Sequence, residues 1–129
     1  MDKPKLNERR TTAATGVIDL SVLDGLSKLQ QPGEPDFVTE LIDLFLSEAA
    51  LQFEFLRVAV ANNDLPEVQR LAHLMKGSSA NIGATRLTQL CKELEALEGT
   101  TTAELTLLLK FEDEFRAVAE ALKNQRLET

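Results

Sequence analysis

Apolar residues recur three or four positions apart through most of this chain, and that spacing constrains its fold more than any other feature. The longest such segment begins near Pro35–Asp36 and runs to about Ala61. Its apolar residues are Val38, Leu41, Phe45, Ala49, Phe53, Leu56 and Val60. No segment alternates apolar and polar residues over the length of a strand. Because residues three and four apart share one face of a helix, the pattern predicts amphipathic helices and an all-α fold.

Two further helices are predicted on either side of that segment. A short one spans about Ser21–Leu29, with Ser21 and Asp24 in the spacing of a capping box. The other begins after Asp64, a favourable N-cap, and ends before Gly83, which suits the C′ position. Its apolar stripe comprises Val68, Leu71, Met75, Ser79 and Ile82.

The C-terminal part of the chain predicts two more helices. One spans about Thr85–Leu97, and the last begins at a capping box formed by Thr101 and Glu104. Apolar residues of the last helix are Leu108, Phe111, Phe115, Val118 and Leu122. Four amphipathic helices joined by short turns become antiparallel neighbours. We therefore predict an up-down-up-down antiparallel four-helix bundle with a short extra N-terminal helix, and we assign the phenylalanines that recur at helical spacing to its core.

A length of 129 residues leaves room for one domain. Residues 1–16 are polar and lack periodicity, which predicts a disordered N-terminal tail. Residues 17–129 are predicted to form the bundle domain. The tail has no apolar secretory segment, and no stretch approaches the roughly 20 apolar residues of a membrane span. We expect a cytoplasmic monomer.

Charge and composition exclude several classes of function. With 14 basic against 21 acidic residues, the formal net charge is -7, which disfavours binding to nucleic acid or to anionic membranes. A single cysteine and a single histidine cannot supply an internal disulfide, a CxxC motif or a common zinc site. We expect no metal or cofactor in this chain, and we assign Cys91 to the core rather than to catalysis.

One local rule is broken inside the third predicted helix, at Lys76-Gly77-Ser78-Ser79. Glycine in a helix interior costs about 1 kcal/mol relative to alanine, and serine is a poor interior residue. The apolar stripe nevertheless continues in phase through Met75 and Ile82. Because sequences break local rules most often at functional sites, this segment is a candidate site.

The helical spacing places the only histidine beside that break. The residues that share its face, roughly opposite the apolar stripe, are His73, Lys76, Gly77 and Ala80. Gln69 and Arg70 neighbour the imidazole on the preceding turn. The missing side chain at Gly77 leaves a bare patch of helix where another protein could approach closely.

Positive charge concentrates in the same segment. Between Leu65 and Lys92, the basic residues Arg70, Lys76, Arg86 and Lys92 face a single acidic residue, Glu67. This predicts a basic neighbourhood suited to an acidic partner. Taken singly, each feature also has a structural explanation: a lone histidine is usually a surface residue, and a helical glycine can serve helix packing.

The continuous run Ala72–Ala84 closely resembles the signature of histidine-containing phosphotransfer (HPt) domains. That signature is a histidine, any residue, an apolar residue, Lys-Gly and two small residues. The likeness extends over roughly Ile18–Leu122. It implies a phosphorelay intermediate, in which an exposed histidine accepts a phosphoryl group from the aspartate of one receiver domain and passes it to another.

The resemblance also implies roles for individual residues. His73 matches the phosphoryl acceptor, Lys76 the cation beside the phosphoryl group, and Gly77 the residue that leaves room for the receiver. The face around them predicts Gln69, Arg70, Ala80 and Arg86 as partner-binding residues.

The expected partners are receiver domains of response regulators and hybrid histidine kinases, with Mg²⁺ bound on the receiver. The chain lacks the glycine-rich boxes of a nucleotide site, so we expect a phosphocarrier without kinase activity of its own. A free-standing protein is favoured over a fragment of a hybrid kinase. The alternative function is a non-catalytic helical adaptor that binds receivers and carries no phosphate.

Overall fold

The computed structural model describes residues 17–33, 36–98 and 101–126. The predicted disordered tail, residues 1–16, lies outside the described residues. Throughout the described part the regular structure is helical, without strands. The helices are α1 (Leu20–Ser27), α2 (Phe37–Ala61), α3 (Leu65–Asn81), α4 (Thr85–Glu95) and α5 (Thr101–Gln125). The predicted all-α fold is confirmed.

Capping residues mark the start of α2 and both ends of α3. The carboxylate of Asp36 accepts a hydrogen bond from the Thr39 amide at 3.1 Å at the start of α2. Asp64 caps α3 in the same way, by accepting from the Glu67 amide. Beyond α3, Gly83 has φ +85°, the left-handed conformation that a C′ glycine supplies.

The start of α1 differs from the prediction. Its N-cap is Asp19, whose carboxylate accepts from the amide and the hydroxyl of Ser21 at 3.1 and 2.6 Å. The predicted Ser21–Asp24 capping box is therefore wrong. A long-range contact explains the shift, because the Asp19 amide donates to the Gly83 carbonyl at 2.7 Å and fixes the chain one residue before the helix.

The other predicted ends need smaller corrections. Helix α4 stops at Glu95 rather than Leu97, and the Leu97 carbonyl accepts a hydrogen bond from the Gln69 side chain at 2.8 Å. The side chain of Thr101 lies outside the described residues, and with it the predicted capping box at the start of α5.

The four long helices pack as a closed ring of antiparallel neighbours. Helix α3 contacts α2 and α4, α5 contacts α4 and α2, and α1 packs on α2. This is the predicted four-helix bundle with an extra N-terminal helix. Phe53 stacks on Phe111 with ring centroids 5.6 Å apart, and Phe115 tilts against both rings.

Cys91 and Phe55 lie in opposite surroundings. Cys91 is fully buried, as predicted, and burial raises the pKa of its thiol to about 12. Phe55, which is not part of the predicted apolar series of α2, is 52% exposed. Side chains two positions apart on a helix point about 200° away from each other. Because Phe53 is buried, Phe55 therefore faces outward. None of the described helices is long and apolar enough to cross a membrane.

Candidate functional site

His73 stands in the middle of α3 on its outward face. Its side chain is 66% exposed, whereas its neighbours Ala72 and Met75 are buried. The predicted position opposite the apolar stripe is confirmed. A helix rigidly packed on its other face therefore presents one imidazole to solvent.

A carboxylate from the adjacent helix fixes the orientation of this imidazole. Glu95, in the last turn of α4, places Oε2 at 2.6 Å from Nδ1 of His73. Its other oxygen, Oε1, accepts a hydrogen bond from Nζ of Lys76 at 2.6 Å. One side chain of α4 thus bridges two residues of α3.

The bridge decides which ring nitrogen is available for chemistry. The hydrogen bond from Lys76, followed by that from His73, holds the pKa of Glu95 below its ordinary value, so the carboxylate is ionised at neutral pH. An ionised carboxylate only accepts hydrogen bonds, and the proton therefore sits on Nδ1. Nε2 then carries the lone pair, and none of the described residues bonds to it.

Gly77 adds open space next to the imidazole. A Cβ atom built on Gly77 meets no atom within 4 Å. Packing within the described chain therefore does not require a glycine, which removes helix packing as an explanation. Ala80, one turn further, is also exposed.

The positive charge around His73 is smaller than the sequence count indicates. Arg70 bonds to both carboxylate oxygens of Glu67 at 2.6 and 2.8 Å. Lys76 is bonded to Glu95, which lies three positions beyond Lys92. Each of these two cations is thus partnered by an anion.

Two of the predicted partner-binding residues lie away from the imidazole or are engaged elsewhere. The Gln69 amide bonds the carbonyl of Leu97 and ties α3 to the end of α4. Arg86 precedes Glu95 by nine positions on α4. Nine positions correspond to two and a half turns, so Arg86 lies on the opposite face of the helix from Glu95 and about 13.5 Å away along its axis. Arg86 lines a groove with Lys110 and Asp113 of α5, so the structure does not bring it together with His73.

Glu95 is the site residue that sequence reasoning missed. The continuous run that carries the resemblance ends at Ala84; Leu94-Glu95 continues the likeness into the following helix, but the resemblance gave no role to Glu95, 22 positions after His73. A local signal does exist, because Glu95 follows Cys91 by one turn on the flank of the buried stripe of α4. The sequence of α4 does not show which neighbouring helix packs against that flank, so it could not pair Glu95 with His73. No group of three or more potential metal ligands occurs in the described part of the chain.

An exposed apolar surface runs along α2. Its members, which we call the α2 stripe, are Leu44, Leu51, Phe55 and Val58, each at least half exposed. A groove between α2 and α3 is lined by Leu44 and Ser78. Because the two helices are antiparallel, Leu74 lies one turn further along the stripe. Leu74, next to His73 in sequence, is itself 48% exposed.

Fold and site together define a small helical bundle that presents a single oriented imidazole. The Hpt domain model matches residues 40–125. The chain therefore belongs to the Hpt domain family.

Individual relatives agree with this assignment. The solved structure of histidine-containing phosphotransfer protein B (HptB) from Pseudomonas aeruginosa PAO1 superposes with a TM-score of 0.77 at 30% identity, covering 84% of this chain and 93% of that one. Histidine-containing phosphotransfer protein 5 of Arabidopsis thaliana is 35% identical over 69 residues, which is 51% of this chain and 44% of the relative.

A third relative is more distant. Multistep phosphorelay regulator 1 of Schizosaccharomyces pombe is 29% identical over 79 residues, 61% of this chain and 27% of the relative. The match thus spans less than half the length of these two curated relatives.

Proposed function

We propose that this protein is a phosphorelay intermediate, which accepts a phosphoryl group on Nε2 of His73 from a receiver aspartate and transfers it to another receiver. The observation that carries the proposal is the imidazole itself, which is exposed, held at Nδ1 by Glu95, and bonded at Nε2 by none of the described residues. A neutral imidazole nitrogen is a nucleophile, and phosphoryl transfer needs little more than in-line positioning and charge stabilisation.

The neighbouring residues supply part of both requirements. The open space at Gly77 admits a receiver to within reacting distance of Nε2. Lys76, 29% exposed and one turn from His73, places a cation beside the arriving phosphoryl group. Mg²⁺ held by the receiver would neutralise the remaining charge. The protein needs no nucleotide for this exchange and acts as a carrier rather than as a kinase.

Apolar contact supports receiver docking on this side of the bundle. The α2 stripe and Leu74 form an exposed apolar surface that leads towards His73. Exposed apolar surface of this extent is typical of protein interfaces. Since Arg70 and Lys76 are already paired with carboxylates, docking depends more on this surface than on the basic neighbourhood expected from sequence. Arg70 and Ala80 form its rim beside the imidazole.

The test is transfer of radiolabel from receiver domains phosphorylated with labelled acetyl phosphate. We expect acid-labile, alkali-stable label on the wild-type protein, as phosphohistidine requires. Binding of receivers without any uptake of label would instead establish the helical adaptor. Absence of both label and binding across the receivers of the source genome would reject both functions.

A matched pair of leucines tests the docking surface. Leu51 on α2 and Leu109 on α5 are 58% and 63% exposed, and only Leu51 belongs to the α2 stripe. We expect Leu51→Glu to weaken receiver binding at least tenfold and Leu109→Glu to leave it unchanged. Equal effects of the two substitutions would place docking on another face.

A further inference from the structure

Helices α4 and α5 enclose a groove on the face of α4 that points away from Glu95. Its volume is about 460 Å³, and its charged lining residues are Arg86, Glu93, Lys110, Asp113 and Glu114. We propose that this groove is an interface between two copies of the protein, which pair about a twofold axis that runs along the groove. The proposal goes beyond phosphoryl transfer, and it departs from the monomer expected from the sequence.

The charged side chains of this groove are not paired with each other. Within the described part of the chain, no ion pair or side-chain hydrogen bond engages any of them. Elsewhere on the surface, by contrast, Arg57 bonds to Glu54 at 3.0 Å and Arg126 to Asp43 at 2.6 Å. The charges of the groove are therefore available to a partner.

The two walls of the groove carry opposite signs at each end. Because α4 and α5 are antiparallel, Arg86 near the start of α4 shares one end of the groove with Glu114 of α5. Glu93 lies about 10.5 Å further along α4 and shares the other end with Lys110. At both ends, a cation on one wall therefore stands across the groove from an anion on the other wall.

Such a pattern is complementary to itself. A twofold axis along the groove sets α4 of one copy against α5 of the other and keeps each residue at its own height. Arg86 then faces the partner's Glu114, and Glu93 faces the partner's Lys110. Each contact occurs twice by symmetry, which is the property that defines an interface between identical surfaces.

The mixture of signs also selects the kind of partner. A purely basic partner would repel Arg86 and Lys110, and a purely acidic one would repel the carboxylates. Glu114 is half-buried, and its Oε2 is shielded from solvent without a hydrogen-bond partner among the described residues. A cation brought close by a second copy would stabilise this carboxylate. Asp113, next to Glu114, offers the same cation a second carboxylate.

Apolar contact adds attraction beside the charges. Leu109, one turn before Asp113 on α5, is 63% exposed, and Leu105 on the turn before it is 53% exposed. Burying these leucines favours association, while the ion pairs set the register. Because Glu95 and the His73 that it bonds lie off this face of α4, both imidazoles stay accessible in the pair.

The first experiment measures the mass of the full chain in solution. Sedimentation equilibrium is run up to about 500 μM, because interfaces that depend on exposed ion pairs are weak. We expect the mass to rise from that of one chain towards that of two as concentration increases. Raising NaCl from about 0.05 to 0.5 M should lower the dimer fraction, since salt screens the ion pairs. The mass of a single chain at every concentration would overturn the proposal.

Charge reversal then tests the register. Glu93→Lys and Lys110→Glu both change exposed side chains, and either one places like charges opposite each other between identical copies. We expect each variant alone to raise the Kd of the dimer by about tenfold or more. Mixed in equal amounts, the two variants restore opposite charges at both contacts, so a heterodimer should form with nearly the wild-type Kd.

A matched control separates these contacts from overall charge. Lys28→Glu, at the exposed C-cap of α1, makes the same change in charge as Lys110→Glu but lies outside the groove. We expect it to dimerise like the wild-type protein, and helical circular dichroism checks that every variant is folded. If the mixed variants fail to associate, the proposed axis is wrong. If the wild-type dimer tolerates both reversals, the two copies meet on another surface and the proposal is rejected.

Discussion

Gly77 and Gly83 lie six residues apart and meet opposite surroundings. Gly77 sits inside α3, where an added Cβ would meet nothing within 4 Å. Gly83 follows α3 with φ +85°, and its Cβ would lie 2.8 Å from the Asp19 carbonyl oxygen and 3.2 Å from Cβ of Val22. The fold therefore requires Gly83, whereas nothing in the described chain requires Gly77. Because no contact within the described chain requires a glycine at position 77, we infer that its missing side chain leaves room for another molecule.

This contrast separates two regions, the site of His73 to Gly77 and the junction of Gly83 with Asp19. Substitutions in the site should alter phosphoryl transfer and leave the free energy of unfolding nearly unchanged. Substitutions in the junction should do the reverse. Helical circular dichroism is the probe of stability, since the chain has neither Trp nor Tyr for fluorescence.

The largest effect is expected from His73→Gln. Because the chain has no other histidine and the imidazole is 66% exposed, uptake of label should be abolished while the melting temperature stays within a few degrees of wild type. Transfer assays and thermal melts measure the two quantities. Retained uptake would refute the site, and an unfolded variant would place His73 among the stabilising residues.

Gly77→Leu should raise the stability of the protein and lower the rate of phosphoryl transfer. Leucine is a better helix former, so stability should rise by somewhat under ~1 kcal/mol. The same side chain projects into the open space beside His73, and a misplacement of about 1 Å can cost 100-fold in rate. Transfer rate and receiver affinity are the measurements, with Gly77→Ala as the smaller step. Unchanged transfer would show that receivers dock elsewhere.

In the junction, Gly83→Ala should destabilise the bundle by about 1–3 kcal/mol, because the left-handed conformation is strained for alanine and its Cβ collides with Asp19. Transfer per folded molecule should stay at the wild-type rate. Gly25→Ala in α1 is the matched control, since its Cβ meets no atom within 4 Å. A stable Gly83→Ala protein with impaired transfer would contradict this prediction, because it would show that Gly83 serves transfer and not stability.

The smallest effect is expected from Lys76→Ala. Removing a partly exposed cation one turn from the nucleophile should slow transfer by about fivefold, or ~1 kcal/mol, without abolishing it. Single-turnover transfer rates measure this, with Lys110→Ala on α5 as the control. A wild-type transfer rate for Lys76→Ala would show that Lys76 pairs with Glu95 but does not contribute to transfer.

Features that depend on local periodicity could be predicted from sequence. The helices, the buried stripe of α3 and the outward position of His73 follow from residues three and four apart, and the structure confirms them. The three-residue spacing also placed Lys76 beside His73, where it is now seen bonded to the same carboxylate.

Features that depend on how helices pack could not be predicted in this way. The Asp19 cap arises from a hydrogen bond to Gly83, more than 60 positions away in sequence. Glu95 meets His73 because α4 packs on α3 in one particular register.

Cys91 gives the site a built-in reporter of motion. Its thiol is fully buried on α4, one turn before Glu95, and with a pKa of about 12 it is unreactive in the closed bundle. An alkylating reagent can therefore modify it only when the packing around α4 opens. The labelling rate of this single cysteine counts those openings directly, and it would reveal whether breaking the bridge of Lys76, His73 and Glu95 loosens the helix pair that carries the imidazole.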